Sequence, residues 1–209
     1  MTQPAMFVPA AYSAGDRSAL RALIRRHPFA LLTTAGASGL WATSLPLVFE
    51  TDDPGDDRLI GHLARRNGHA AALDDAAHVL ATFSGPNAYV SSRWYQDRPE
   101  VPTWNYVAVQ VRATLTPVDD DEGLYAILDR TMQVAEGGRL DLGGLPEGRS
   151  ATLLPYIRGF RLTITAIDGT TKLSQTHPPA DRLRIIRGLL AEGDEGGRAI
   201  ARLMAQRDA

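Results

Sequence analysis

The 209-residue chain contains no cysteine, so disulfides, zinc–thiolate sites, iron–sulfur clusters and cysteine nucleophiles are excluded. It has almost no lysine: Lys172 is the only one, and every other cation among the 22 basic residues is arginine. Net charge is also lacking, at -2, so no strong overall field draws the protein to nucleic acid or to anionic lipid. No stretch approaches the roughly 20 apolar residues of a membrane-spanning helix. The N-terminus lacks the basic start and apolar run of a secretion signal, and a cytoplasmic location is the expectation. Walker, G-x-G-x-x-G, G-x-S-x-G and H-E-x-x-H signatures are missing, which leaves no catalytic residue to name. His62 and His69 stand seven apart, a spacing that suits no common metal-ligand set, so no metal site is expected.

What the chain does have is strand patterning. A helix is predicted over Asp16–Arg26, capped by Ser13 or Asp16 and stopped at His27-Pro28. Strands follow at Phe29–Thr34, Trp41–Phe49, Leu59–Leu63 and His78–Phe83, with an acidic solvent turn at Thr51–Asp57 and a short helix at Ala70–Leu73. The stretch Ser84–Asn105 carries Gly85-Pro86, Pro99 and Pro102 together with Tyr89, Trp94, Tyr95 and Trp104, and reads as an ordered loop folded over its own core or over a ligand. Val107–Val118 alternates cleanly as a strand, and Asp119–Asp121 caps a helix running to Val134. A further strand, Phe160–Ala166, is expected to turn at Asp168-Gly169 and pair back through Thr171–Ser174, before helices at Asp181–Ala191 and Gly196–Gln206. Most connections between strands are too short for parallel crossovers, so the fold class is mainly β: an antiparallel barrel or curled sheet with flanking helices. One domain covers residues 1–209, with a helical tail from about 179 onward.

Three clusters carry chemistry. Gly61-His62-Leu63-Ala64-Arg65-Arg66-Asn67 is a strand end with two guanidiniums and an amide, which suits a phosphate; a solvated basic turn explains the same residues. Tyr89-Val90-Ser91 and Trp104-Asn105-Tyr106 offer flat rings and amide donors for a planar heterocycle, or a small aromatic core. Thr171-Lys172-Leu173-Ser174-Gln175 sets a cation beside a hydroxyl, as a phosphate subsite or as an ordinary surface lysine.

Several segments resemble the PaiB family of FMN-binding negative transcriptional regulators. They are His27-Pro28-Phe29-Ala30, Ala42-Thr43 with Leu45-Pro46-Leu47, Gly61-His62-Leu63-Ala64-Arg65 with Asn67, Ala88-Tyr89-Val90-Ser91, Val101-Pro102-Thr103-Trp104-Asn105-Tyr106 and Lys172-Leu173-Ser174-Gln175. They occur in the family's order along almost the whole chain. Ser44 stands where the family has His, Thr176 where it has Asn, and Gly68-His69 where it has Pro-Gln.

The resemblance implies an FMN-binding split β-barrel of antiparallel, Greek-key-like order. It also implies a homodimer with FMN in clefts between subunits. Arg65, Asn67 and Lys172 then become candidates for phosphate or ribityl contacts. Thr43, Ser44 and His62 become contacts to the ring edge, and Tyr89, Trp104, Asn105 and Gln175 cleft walls. The implied function is FMN-linked transcriptional regulation. A flavin-dependent oxidoreductase or flavin reductase on the same fold is the alternative, and a haem protein would need an axial ligand that none of the five histidines declares. DNA contact has one basic stripe to rest on, from Arg182, Arg184 and Arg187 to Arg198, Arg202 and Arg207, which a solvated helix face explains equally.

Overall fold

The first helix forms where expected. In the computed structural model α1 spans Arg17–Arg26, and the Asp16 carboxylate accepts from the Ala19 amide at 2.9 Å. The structure describes residues 6–37, 39–73, 78–96, 101–146, 148 and 152–207. Seven strands follow the helix: β1 (Phe29–Gly36), β2 (Gly39–Pro46), β3 (Val48–Phe49), β4 (Arg58–Ala64), β5 (His78–Val90), β6 (Thr103–Val118) and β7 (Ile157–Lys172). They form one sheet in the order β2-β1-β5-β6-β7-β4-β3. The pairs β1–β2, β1–β5, β3–β4 and β4–β7 are antiparallel. The helices are α2 (Gly68–Ala72), α3 (Asp121–Ala135), α4 (Pro179–Glu192) and α5 (Glu195–Arg207). No helix among the described residues is long and apolar enough to cross a membrane.

Three expectations change. The second strand breaks after Pro46, where the Leu47 amide leaves the ladder and donates to the Pro28 carbonyl at 2.8 Å, so β3 is separate. The aromatic stretch Ser84–Asn105 is strand at both ends: β5 continues through Gly85-Pro86 to Val90, and β6 begins at Thr103. Pro99 lies outside the described residues. The hairpin expected at Asp168-Gly169 is absent, because β7 runs unbroken from Ile157 to Lys172. Gly169 serves close approach there. A Cβ on it would lie 2.1 Å from Leu20 Cδ2 and 3.0 Å from Ala14 Cβ, and its carbonyl accepts from the Ala14 amide.

The chain divides into two compact units. One comprises residues 21–83 and 110–167, the other residues 1–20, 84–109 and 168–209. In the first, Leu45, Leu47 and Phe160 converge on Gly61 of β4, where a Cβ would meet all three within 3.0 Å. The opposite face of β4 and β7 lies under α3, and Ile60, Val118 and Ile127 are buried together with Val48. Asp120 caps α3 by accepting from the Gly123 amide at 2.8 Å. The acidic turn after β3 is exposed at its tip, yet its carbonyls are not left to water. Arg21, buried on α1, donates to the Asp53 and Asp56 carbonyls and lies 3.9 Å over the Phe49 ring.

In the second unit, α4 and α5 pack Ile185, Leu189, Ile200 and Met204 onto Ala88, Val90 and Leu173. The basic stripe expected on these helices is not one surface. Arg182 is buried and donates to the Leu173 carbonyl at 3.3 Å, while Arg184 and Arg198 donate to the carbonyls of Trp94 and Gly193.

Gly169→Ala should cost about 1–3 kcal/mol, because Leu20 and Ala14 must yield to the added methyl. The midpoint of urea unfolding measures it, and an unchanged midpoint contradicts this packing.

Candidate functional site

β4 delivers Arg65 to its end, where the Arg65 amide donates to the Tyr156 carbonyl at 2.8 Å. The Arg65 guanidinium reaches Asp119 Oδ1 at 3.2 Å. Arg158, from β7, donates to Asp119 Oδ2 through Nε at 3.2 Å and through its terminal nitrogen at 3.1 Å, and to the Ala70 carbonyl at 2.7 Å. Arg158 is 12% exposed, whereas Arg65 and Asp119 remain nearly half exposed at 45% and 44%. Two guanidiniums thus share one carboxylate. They line a cavity of about 460 Å³ together with Ala70 and Ala71. A half-exposed arginine fork at a concavity is the chemistry that receives phosphate oxygens.

Beside it, Asn67 opens α2. Its Oδ1 accepts from the His69 amide at 3.0 Å, and its Nδ2 donates to Thr43 Oγ1 at 3.4 Å. His69 is fully buried, with Thr43 Oγ1 2.8 Å from Nδ1 and Thr34 Oγ1 2.9 Å from Nε2, and Trp41 stacked at 6.1 Å. Gly68 admits that stack, since a Cβ there would lie 2.8 Å from Trp41 Cη2. His69 is therefore the hub that joins Thr43 to Asn67. Sequence spacing missed it because its partners come from the β1–β2 hairpin. The one signal was that Gly68-His69 departs from the family pattern. Ser44 follows Thr43 on β2, so it points to the other, exposed face. His62 stands on the face of β4 opposite Gly61, half-buried, and burial holds its imidazole below the ordinary 6.5.

In the other unit, Tyr89 and Trp104 meet edge to face at 6.1 Å, with 48% and 54% of each exposed. They border a cleft of about 730 Å³ that Arg93, Trp94 and Glu192 also line. Asn105 is fully buried, with its carboxamide engaged by the Ser174 hydroxyl at 2.9 and 3.2 Å. Gln175 ties the segment 171–175 to the N-terminal turn: Nε2 donates to the Ala11 and Thr171 carbonyls, and Oε1 accepts from the Leu173 amide. Lys172 Nζ donates to Thr103 Oγ1 at 2.5 Å and lies 5.7 Å from the Tyr12 ring centre. No carboxylate among the described residues pairs with it. Thr103 and Trp104 are consecutive in β6 and so face opposite sides, which keeps the Lys172 ammonium away from the exposed Trp104 ring.

Residues 6–166 match the family described as "Putative FMN-binding domain". The chain is 30% identical over 95% of its length to "Protease synthase and sporulation protein PAI 2" of Bacillus subtilis, of which it covers 96%. The chain belongs to this PaiB-type FMN-binding family. It is also 27% identical to an uncharacterised protein of Emericella nidulans, with 97% of each covered. Among solved structures it resembles a conserved hypothetical protein of Mycobacterium tuberculosis (TM-score 0.60, 11% identity, 83% of this chain and 94% of that one). It likewise resembles an FAD and heme binding protein of Mycobacterium smegmatis (TM-score 0.58, 17% identity, 75% and 71%). These likenesses give the fold, a split β-barrel.

FMN is the cofactor that the family assignment carries. Its phosphate needs accessible cationic donors, and the half-exposed Arg65 guanidinium at the cavity fits that need. Arg65 and Arg158 lie inside the matched span, while Lys172 and Gln175 lie beyond it. When bound, FMN supplies redox chemistry through its isoalloxazine, and the protein's part is to bind and orient it.

Burial holds His69 below the ordinary 6.5 as well, so the unfolded chain takes up more protons than the folded one as pH falls through that value. Stability from this source is present above about pH 6.5 and is lost on acidification below it, so Tm should decline as pH falls from about 6.5. His69→Gln should shallow that slope and cost about 1–3 kcal/mol at neutral pH through the stranded threonine hydroxyls. A Tm independent of pH and of this substitution contradicts the hub.

Proposed function

We propose that the protein is an FMN-binding, PaiB-type regulator that works as a homodimer, with Arg65 holding the FMN phosphate at the end of β4. The observation that carries this reading is the half-exposed Arg65 guanidinium at a concavity inside the FMN-binding span. Thr43, braced by His69 and Asn67, shapes the neighbouring backbone. In the larger unit Ser44 and His62, on the other faces of β2 and β4, are the candidate ring-edge contacts; in the smaller unit the exposed rings of Tyr89 and Trp104 are candidate cleft walls. Lys172 is a second anion-binding candidate, with Asn105 and Gln175 supporting its segment rather than touching ligand. Pairing of two copies is supported by the outer face of the β1–β2 hairpin, which exposes Phe29 (64%), Leu31 (41%) and Leu40 (74%) around Ser44. The regulatory reading rests on similarity over nearly the full chain, tail helices included, to a relative named for protease synthase and sporulation.

Arg65→Gln should raise the Kd for FMN by about tenfold or more, the worth of one charge-assisted hydrogen bond to phosphate. Asp119→Asn should tighten FMN binding by up to about fivefold, because it removes the competing carboxylate. Flavin fluorescence titration reads both, and unchanged affinities in both variants would remove the β4 end from the site. The regulator reading expects a promoter-specific mobility shift that weakens as salt rises. FMN-dependent consumption of NAD(P)H without such a shift would favour the oxidoreductase alternative.

A further inference from the structure

The larger unit holds a second cavity, of about 410 Å³, between the end of α1, the β2–β3 corner and the C-terminal turn of α3. Its floor is apolar: Ile24, Leu47, Val48, Phe49 and Val134. Ile24 and Leu47 are fully buried, and Phe49 is 3% exposed. The mouth is kept open by backbone. Gly137 and Gly138 adopt left-handed φ values of 61° and 74°, and a Cβ on either would meet nothing within 4 Å.

Accounting for the polar groups around this cavity leaves one unspent. Arg130 donates to the Phe49 carbonyl at 3.1 Å and clasps Asp52 through both terminal nitrogens, the shorter bond at 2.6 Å. That contact holds the Asp52 carboxyl below its ordinary range. Gln133 donates to Asp129 at 2.7 Å. The last carbonyls of α3 are taken by the amides of Glu136, Gly137 and Gly138. Arg25 remains. Its guanidinium is held 5.0 Å over the Phe49 ring, and no carboxylate among the described residues pairs with it. Arg25 also acts on Asp52 through space, but Arg130 takes both carboxylate oxygens, so two arginines face one aspartate and one positive charge is left in excess at the mouth of an apolar cavity.

We infer that this cavity binds a small hydrophobic monocarboxylate, with its hydrocarbon on the apolar floor and its carboxylate on Arg25. A purely apolar molecule would leave the cation unanswered, and a dianion would bring more charge than the mouth can balance. This site is separate from the FMN reading and uses none of its residues.

Octanoate is the probe, titrated into the full chain by calorimetry and followed on the methyl resonances of Ile24, Leu47, Val48 and Val134. The expected result is saturable binding with shifts concentrated on those methyls. Octanol should bind about fivefold more weakly. Arg25→Glu, at an exposed position that leaves folding intact, should weaken octanoate by about tenfold and leave octanol unchanged. The isotherm should be the same with FMN present. Methyls that stay in place at millimolar octanoate would overturn the proposal. So would equal affinity for octanol and octanoate in both proteins, or displacement of octanoate by FMN, which would assign the cavity to the flavin.

Discussion

The absence of a side chain at Gly61 is the constraint on which the larger unit depends. Leu45, Leu47 and Phe160 all press toward its Cα, and a single methyl there would collide with each. Strands β2, β4 and β7 therefore contribute to one interior only because β4 is bare at that point. The same alternation turns Ile60 and His62 to the other face, where α3 covers the sheet. β4 ends at Ala64, and Arg65 follows it beside Asp119 and Arg158.

Charge is distributed in the larger unit by the same economy. Arg21, Arg130, Arg158 and Arg161 each hold a carbonyl or carboxylate that closes a turn or ties strands together, including the Arg161–Glu50 contact at 2.6 Å. These arginines are structural because their forks satisfy several acceptors at once. The guanidiniums that stay accessible stand at concavities: Arg65 at the end of β4, and Arg25 over Phe49. In the smaller unit Lys172, beside Thr103, has the same character.

The antiparallel, mainly β character was legible in the sequence because alternation in β1, β4, β6 and β7 and the Asp caps of α1 and α3 are local signals. What escaped was non-local. Gly85-Pro86 reads as a break and Asp168-Gly169 as a turn, yet both lie inside long strands, the second because Leu20 and Ala14 crowd the backbone at Gly169. Arg182 reads as part of a surface stripe but is drawn inward by the Leu173 carbonyl. At the candidate site, Arg65, Asn67 and Thr43 were found from motif residues. His69 was not, because its two threonine partners are brought to it by strand pairing. Asn105 and Gln175 look like ligand-binding amides in sequence, and their carboxamides are spent on Ser174 and on backbone carbonyls.

The proposed function asks one thing of the end of β4: that its half-exposed Arg65 guanidinium receive the phosphate of the flavin. The most direct test is the ratio of riboflavin to FMN dissociation constants in the native protein and in Arg65→Gln. The expected result is strong preference for FMN in the native chain, collapsing toward parity in the variant while riboflavin affinity holds. Equal preference for FMN in both proteins would contradict the account.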